Sequence, residues 1–322
     1  MLAAVYESTG PAGVLRVEEI PTPDPRPGEV RVRLAVSGVN PTDWKSRSAG
    51  SVDRAFQIPN QDGAGVIDAV GEGVDARRIG QRVWVYFAAW KRPWGTAAQW
   101  TVLPAAQAVA LPDGISFELG ASLGIPALTA HRCLFADGPL AGRAVLVAGG
   151  AGAVGHAAIE LGRWASARVV ASVSTDEKAD LARAAGADAT VNYRDADAAD
   201  QILRRLDGGV DRVVEVALGA NLELDLQVCG PNAAISSYAT EPAGEVSVPV
   251  RRLMSPNIVL RFVLVYTMPA GALHAAIADV TAALEAGALT TLPIHRFPLE
   301  EVAAAHDAVE RGVTGKVLID LP

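Results

Sequence analysis

Cysteine is nearly absent. Cys133 and Cys229 are the only two in 322 residues, too few for a disulfide framework or a cysteine-rich zinc site, and their scarcity suits a reducing compartment. The five histidines (His131, His156, His274, His295 and His306) are dispersed along the chain and add no metal-ligand pattern. Basic residues are outnumbered, 28 Lys and Arg against 36 Asp and Glu, and the formal net charge of −8 argues against affinity built on nucleic-acid phosphates. Long apolar runs are missing too: the longest uncharged stretches, 95–112 and 262–278, are broken by Pro104 in one and by Pro269 and Gly271 in the other. Glu7 falls where the apolar run of a leader would sit. The expectation is a cytoplasmic protein without nucleic-acid or membrane partners. What remains is ordinary globular composition, half hydrophobic and a fifth charged, enough for one large or two medium domains.

The rhythm of the chain changes once near residue 124. Before it, short β-rich runs at 29–35, 65–70 and 82–87 are separated by Pro and Gly clusters such as 21–28, which predicts a mostly β domain. After it, apolar strands alternate with alanine-rich helical stretches, the pattern of a parallel sheet covered on both faces. Strands are predicted at 144–148, 168–173, 190–192, 212–216, 233–236 and 258–263, and helices at 154–165, 176–185, 199–206 and 270–286. The end of the chain carries one helix, 299–311, and an apolar strand, 317–321, expected to return to the first domain. The fold class is α/β, with a β-rich domain over 1–123 and 290–322 and a doubly wound parallel sheet over 124–289.

Directly after the strand at 144–148 the chain reads Gly149, Gly150, Ala151, Gly152, Ala153, Val154, Gly155, so that residues 150, 152 and 155 satisfy Gly-x-Gly-x-x-Gly and open a helix. The first glycine turns sharply, the second lets backbone N–H groups approach a pyrophosphate, and the third lets helix pack on strand. An acidic residue about 20 positions on would grip a ribose 2′-hydroxyl. Val173 stands there instead, followed by Ser174, Thr175 and, three positions further on, Lys178. A carboxylate about 4 Å from a 2′-phosphate would cost roughly 4 kcal/mol per charge pair at an effective dielectric near 20. Its absence, with a lysine one turn on, favours NADPH. Ser174 and Glu177 also read as a capping box at the start of the next helix.

The chain resembles the zinc-independent, zeta-crystallin-like NADPH:quinone oxidoreductases of the medium-chain dehydrogenase/reductase superfamily. The resemblance rests on the segments 38–43, 62–71, 124–130, 148–155 and 191–193, with Pro298 to Val302, Ala305, His306 and 314–318. It implies a GroES-like catalytic domain made from both chain ends, a Rossmann domain between them, a cleft at their junction, NADPH as cofactor and a homodimer. Matched to family positions, Asn40 would lie beside the nicotinamide ribose and Thr129 near the nicotinamide, the two candidates for the catalytic centre. Gly150, Gly152, Ala153, Val154 and Gly155 would hold the pyrophosphate. Ser174, Thr175, Lys178 and Tyr193 would take the 2′-phosphate end, Ser237 and Tyr238 would border the nicotinamide, and Lys316 would lie near the cofactor.

Asn40 and Gln61 stand near the positions of the first two catalytic zinc ligands of metal-dependent relatives, so no metal is expected. Without a Lewis acid the substrate should itself be a good hydride acceptor, a quinone or a conjugated carbonyl. A tyrosine that many relatives carry just after the Asn-Pro segment is absent, and Trp44 and Lys45 follow instead. That disfavours enoyl reduction through a tyrosine proton donor, for which Lys45 or Ser51 could substitute. Trp90 and Trp94, flanking Lys91 and Arg92, are candidates to stack on a planar substrate. The rival readings are a reductase of enones, alkenals or enoyl thioesters, and a non-catalytic NADPH-binding sensor. The apolar strand at 258–263 is the expected dimer edge.

Overall fold

The computed structural model describes residues 1–240 and 244–322. The chain divides into two compact units, Met1–Ile125 with Thr291–Pro322, and Pro126–Thr290. The first leg of the first unit runs β1 (Leu2–Val5), β2 (Arg16–Glu19), β3 (Glu29–Val39), α1 (Pro41–Ala49), β4 (Asp62–Val70), β5 (Arg82–Val85), β6 (Trp100–Pro104), β7 (Ala108–Ala110) and α2 (Phe117–Gly120). Helix α3 (Gly124–Phe135) starts in this unit and continues into the second. There follow β8 (Ala144–Ala148), α4 (Ala153–Trp164), β9 (Arg168–Val173), α5 (Asp176–Ala184), β10 (Ala189–Asn192), α6 (Ala198–Leu206) and β11 (Val210–Glu215). The second unit closes with α7 (Leu218–Val228), β12 (Cys229–Ser237), α8 (Val250–Met254), β13 (Val259–Phe262) and α9 (Ala270–Glu285). The return leg is β14 (Ile294–Pro298), α10 (Val302–Glu310) and β15 (Lys316–Asp320).

Among the described residues, the main sheet of the first unit has the order β14-β15-β3-β4-β5-β7, with β6 also on β3, and packs Val30, Val32, Ile67, Val83, Val85 and Leu103 into one core. Strand β3 runs four residues beyond its predicted end. The polar and glycine pair Ser37-Gly38 that hides the strand in sequence is held by partners on both sides, Gly63 and Asp62 on β4 and Ile319 and Leu318 on β15. Gly38 is required there, because a Cβ would sit 2.1 Å from the Ala121 carbonyl oxygen. The antiparallel register of β15 on β3 sets Val317 opposite Val39, which brings Lys316 to the start of α1.

The second unit is a parallel sheet, β10-β9-β8-β11-β12-β13 among the described residues. All five residues of β8 are buried, as a strand covered on both faces demands. From β8 the chain builds outward through β9 to β10, then returns to β11 on the other side. The carboxyl ends of β8 and β11 therefore flank a topological switch point, where open sheets of this class bind ligands. Strand β9 has its predicted bounds, while β12 begins four residues early, because Cys229 pairs with Val210 ahead of a register shift.

Candidate functional site

The turn after β8 is pinned to β9. Gly149, at φ +68°, and Gly150 both donate their N–H to the Ser172 carbonyl, at 3.0 and 3.2 Å. A Cβ on Gly150 would lie 2.7 Å from the Ala171 methyl, and one on Gly155 would lie 2.3 Å from the Gly149 carbonyl oxygen. Packing alone thus forbids side chains at the first and third positions of the motif. Gly152 differs: at the N-cap of α4, with φ −81°, its Cβ would meet nothing closer than 3.4 Å, an ordinary contact. The protein has room for a side chain there and carries none, which leaves the backbone around it approachable. Ala153 and Val154 begin α4, whose first N–H groups lack acceptors within the helix and present its positive end. The arrangement suits a phosphate group.

Four predicted residues gather at the end of β9. No carboxylate ends this strand: its last residue is Val173, and Tyr193 donates its N–H to the Val173 carbonyl at 3.2 Å. The cap of α5 is Thr175 rather than the expected Ser174, its Oγ1 accepting the Lys178 N–H at 3.3 Å. The capping-box pattern is therefore misregistered by one residue, and Ser174 instead accepts the Lys178 ammonium at 3.4 Å. A hydroxyl and an ammonium side by side are donors of the kind an anion accepts from. Tyr193 is 40% exposed, with the Arg194 guanidinium 5.6 Å from its ring centre.

Beyond the switch point Ser237 is buried at the end of β12, and the Tyr238 N–H donates to the Glu215 carbonyl at 3.1 Å. Burial, helped by Cys133 and Glu215, raises the Tyr238 hydroxyl far above its ordinary range and keeps it a neutral donor. Thr129 is buried on α3. Sequence reasoning missed a buried carboxyl pair here. Glu215, the last residue of β11, accepts from the Ala217 N–H and from Asn221 at 2.9 Å. Burial, then the Glu215 charge, push the Asp225 carboxyl well above its ordinary range.

In the first unit Asn40 and Lys316 meet. The Lys316 ammonium donates to Asn40 Oδ1 at 2.7 Å and to the Val39 carbonyl at 3.2 Å, and Asn40 Nδ2 donates to Asp62 Oδ2 at 2.7 Å. The amide orientation is forced, since an ammonium only donates and a carboxylate only accepts. Both Asp62 oxygens also receive the Ile125 N–H, at 3.0 and 2.9 Å. Asp43 braces the Asn40 turn as expected, accepting the Asn40 N–H at 2.7 Å. All four side chains are buried. Burial pushes the Asp62 carboxyl up to about 6; burial and the neighbouring Asp62 charge push Asp43 up to about 8. Asp62 was not singled out from sequence, although an aspartate between Gln61 and Gly63 at the start of a buried strand was its visible signal.

Lys45 is exposed on α1 with its ammonium 5.9 Å from the Trp44 ring, and Lys91 holds the same relation to Trp90 at 5.6 Å. Trp94 packs edge-on against Phe56, 5.5 Å between centroids. Arg92 folds inward to the Phe87 carbonyl at 3.0 Å, which leaves Lys91 as the exposed base of that loop. Among the described residues, no three His, Cys, Asp or Glu side chains form a group that could hold a metal ion.

Comparison with known proteins matches residues 153–284 to the zinc-binding dehydrogenase family model and residues 26–113 to the alcohol dehydrogenase GroES-like domain. The human protein quinone oxidoreductase is 28% identical over 98% of this chain and 96% of its own length. Among solved structures, an NAD-dependent alcohol dehydrogenase superposes with TM-score 0.89 at 27% identity over the full length of both chains. A mycobacterial protein complexed with NADPH superposes with TM-score 0.84 at 27% identity over 99% of each chain.

Proposed function

Because this chain belongs to the medium-chain dehydrogenase/reductase family, we propose that it is an NADPH-dependent, metal-free oxidoreductase that reduces quinones or similarly activated carbonyl compounds. The observation that carries the cofactor half is the bare Gly152, a position where the protein itself would tolerate a methyl group. NADPH rather than NADH is supported by the strand end at Val173, which offers no carboxylate, beside Ser174, Thr175 and Lys178.

In this reading Gly150, Gly152, Ala153, Val154 and Gly155 hold the pyrophosphate, while Ser174, Thr175, Lys178 and Tyr193 hold the 2′-phosphate end. Asn40, Thr129, Ser237, Tyr238 and Lys316 serve the nicotinamide side, Lys316 by fixing the Asn40 amide from behind. When bound, NADPH supplies a hydride. The quinone gains that hydride and one proton from water or a hydroxyl, becoming the hydroquinone and leaving NADP⁺. Trp44, Lys45, Trp90 and Trp94 are the residues proposed to face the acceptor. Freedom from metal is supported by the donor set. Asn40 and Gln61 offer amides, and the Asn40 oxygen is already taken by a cation that would repel another.

Purified protein is expected to oxidise NADPH with a quinone acceptor, unaffected by chelator, and to use NADH less well. Lys178→Ala should raise the KM for NADPH about tenfold, the equivalent of ~1.4 kcal/mol, and leave NADH unchanged. Equal losses with both cofactors would remove Lys178 from the site. Turnover confined to enones would move the reading to conjugated C=C bonds, and NADPH binding without any turnover would leave a sensor.

The homodimer is part of the same proposal. Strand β13 is a sheet edge whose surroundings expose Phe262 at 72%, Leu264 at 56% and Met254 at 68%, a combination that favours pairing with a second copy. Phe262→Lys is expected to shift sedimentation from dimer to monomer. A parent protein that sediments as a monomer refutes the assembly.

A further inference from the structure

Helix α3 lacks a cap of its own kind. No Ser, Thr, Asp or Asn stands directly before Gly124, and Pro126 brings no N–H to the first turn. The acceptor comes from 63 residues away, where the Asp62 carboxylate on β4 takes the Ile125 N–H on both oxygens. The fit is close: a Cβ on Gly124 would fall 2.1 Å from Asp62 Oδ1. A negative charge at this end of a helix is favoured by the aligned peptide dipoles. The same carboxylate orients Asn40, whose Nδ2 has Asp62 as its acceptor at 2.7 Å. One buried group therefore sets both the rotation of the Asn40 amide and the start of the helix that carries Thr129 one turn later.

We propose that Asp62 is a positioning residue for hydride transfer, fixing Asn40 and the first turn of α3 together through a single carboxylate. The inference rests on the nicotinamide roles proposed above for Asn40 and Thr129. Asp62 touches neither cofactor nor acceptor and acts through those two residues. Its partner charge, Lys316, lies at the far side of the Asn40 amide, so donation runs from Lys316 through Asn40 to Asp62, which also takes the Ile125 N–H.

The test is Asp62→Asn, which keeps the size, removes the charge and sets an NH₂ group against the donor face of Asn40 or against Ile125. Two readings are expected. At saturating NADPH, kcat for quinone reduction falls about a hundredfold while the KM for NADPH stays within about threefold, because misplacement rather than lost binding is at issue. In protein without cofactor, amide exchange over 124–129 quickens about tenfold, as loss of a helix cap implies. Unchanged kcat together with unchanged exchange overturns the proposal, and so does a lower kcat without faster exchange at 124–129. The exchange arm needs no turnover, so failure of the quinone reading and failure of this inference are separable. If the variant does not fold, the parent protein still decides. Its Ile125 amide is expected to exchange at least about tenfold more slowly than the amides of Ala153 and Val154 at the uncapped start of α4, and equal rates overturn the assignment.

Discussion

Gly152→Ala is expected to leave thermal unfolding within about 2 °C of the parent while raising the dissociation constant for NADPH at least about tenfold. The first half follows from a φ that alanine adopts freely and a nearest neighbour at 3.4 Å. The second half follows from what the methyl group would occupy, the space through which a pyrophosphate meets the first N–H groups of α4. The control is Gly155→Ala, whose Cβ would lie 2.3 Å from a backbone oxygen that has little freedom to move. There the damage falls on folding, and any loss of cofactor affinity is secondary. Calorimetry of binding beside a melting curve separates the two. If Gly152→Ala binds NADPH like the parent, the glycine turn is not the phosphate cradle and the proposed function loses its main support.

Lys316→Met is expected to cost about 3–5 kcal/mol of stability near pH 8, the range for breaking a buried charge network by removing one partner. Against the opposing effect of burial, the ammonium is the largest influence that lowers the Asp62 carboxyl, and for Asp43 it adds to the stronger effect of the Asn40 N–H. Both carboxyls sit above their ordinary value of 3.8, at about 6 and about 8. For such groups the folded state binds the proton more tightly than the unfolded one. Their contribution is therefore fully present below pH 3.8 and is lost as pH rises through about 6 and about 8. Removing the ammonium raises both further. The gap between variant and parent should open above about pH 6, where the parent's Asp62 gives up its proton, by at most ~1.4 kcal/mol per pH unit, and Asp43 adds to it only above about pH 8. Urea unfolding at several pH values reads this directly, and a penalty independent of pH would count against the network.

Much of the second unit was legible because its elements announce themselves locally. A strand such as β9 is a run of apolar residues, the glycine motif sits between a strand and a helix, and each helix is only a few turns long. The cap of α5 was misread for an equally local reason: Ser174 and Thr175 are adjacent, and the spacing to Glu177 favours the wrong hydroxyl. The network of the first unit was illegible for the opposite reason. Asn40 is 22 residues from Asp62 and 276 from Lys316, and neither spacing carries a periodic signal. The registers of β4 and β15 on the two sides of β3 bring the three together. Asp43 could be found, because a capping carboxylate acts within one turn of the chain.

The lateral place of β15 also has a meaning in time. Its partner β3 precedes it in the chain, so a nascent polypeptide leaving the ribosome has every strand of the parallel sheet of the second unit before it has the counter-ion for Asp62. The strands β3 and β4 must wait, with their acidic pocket unmatched, until β15 has been made.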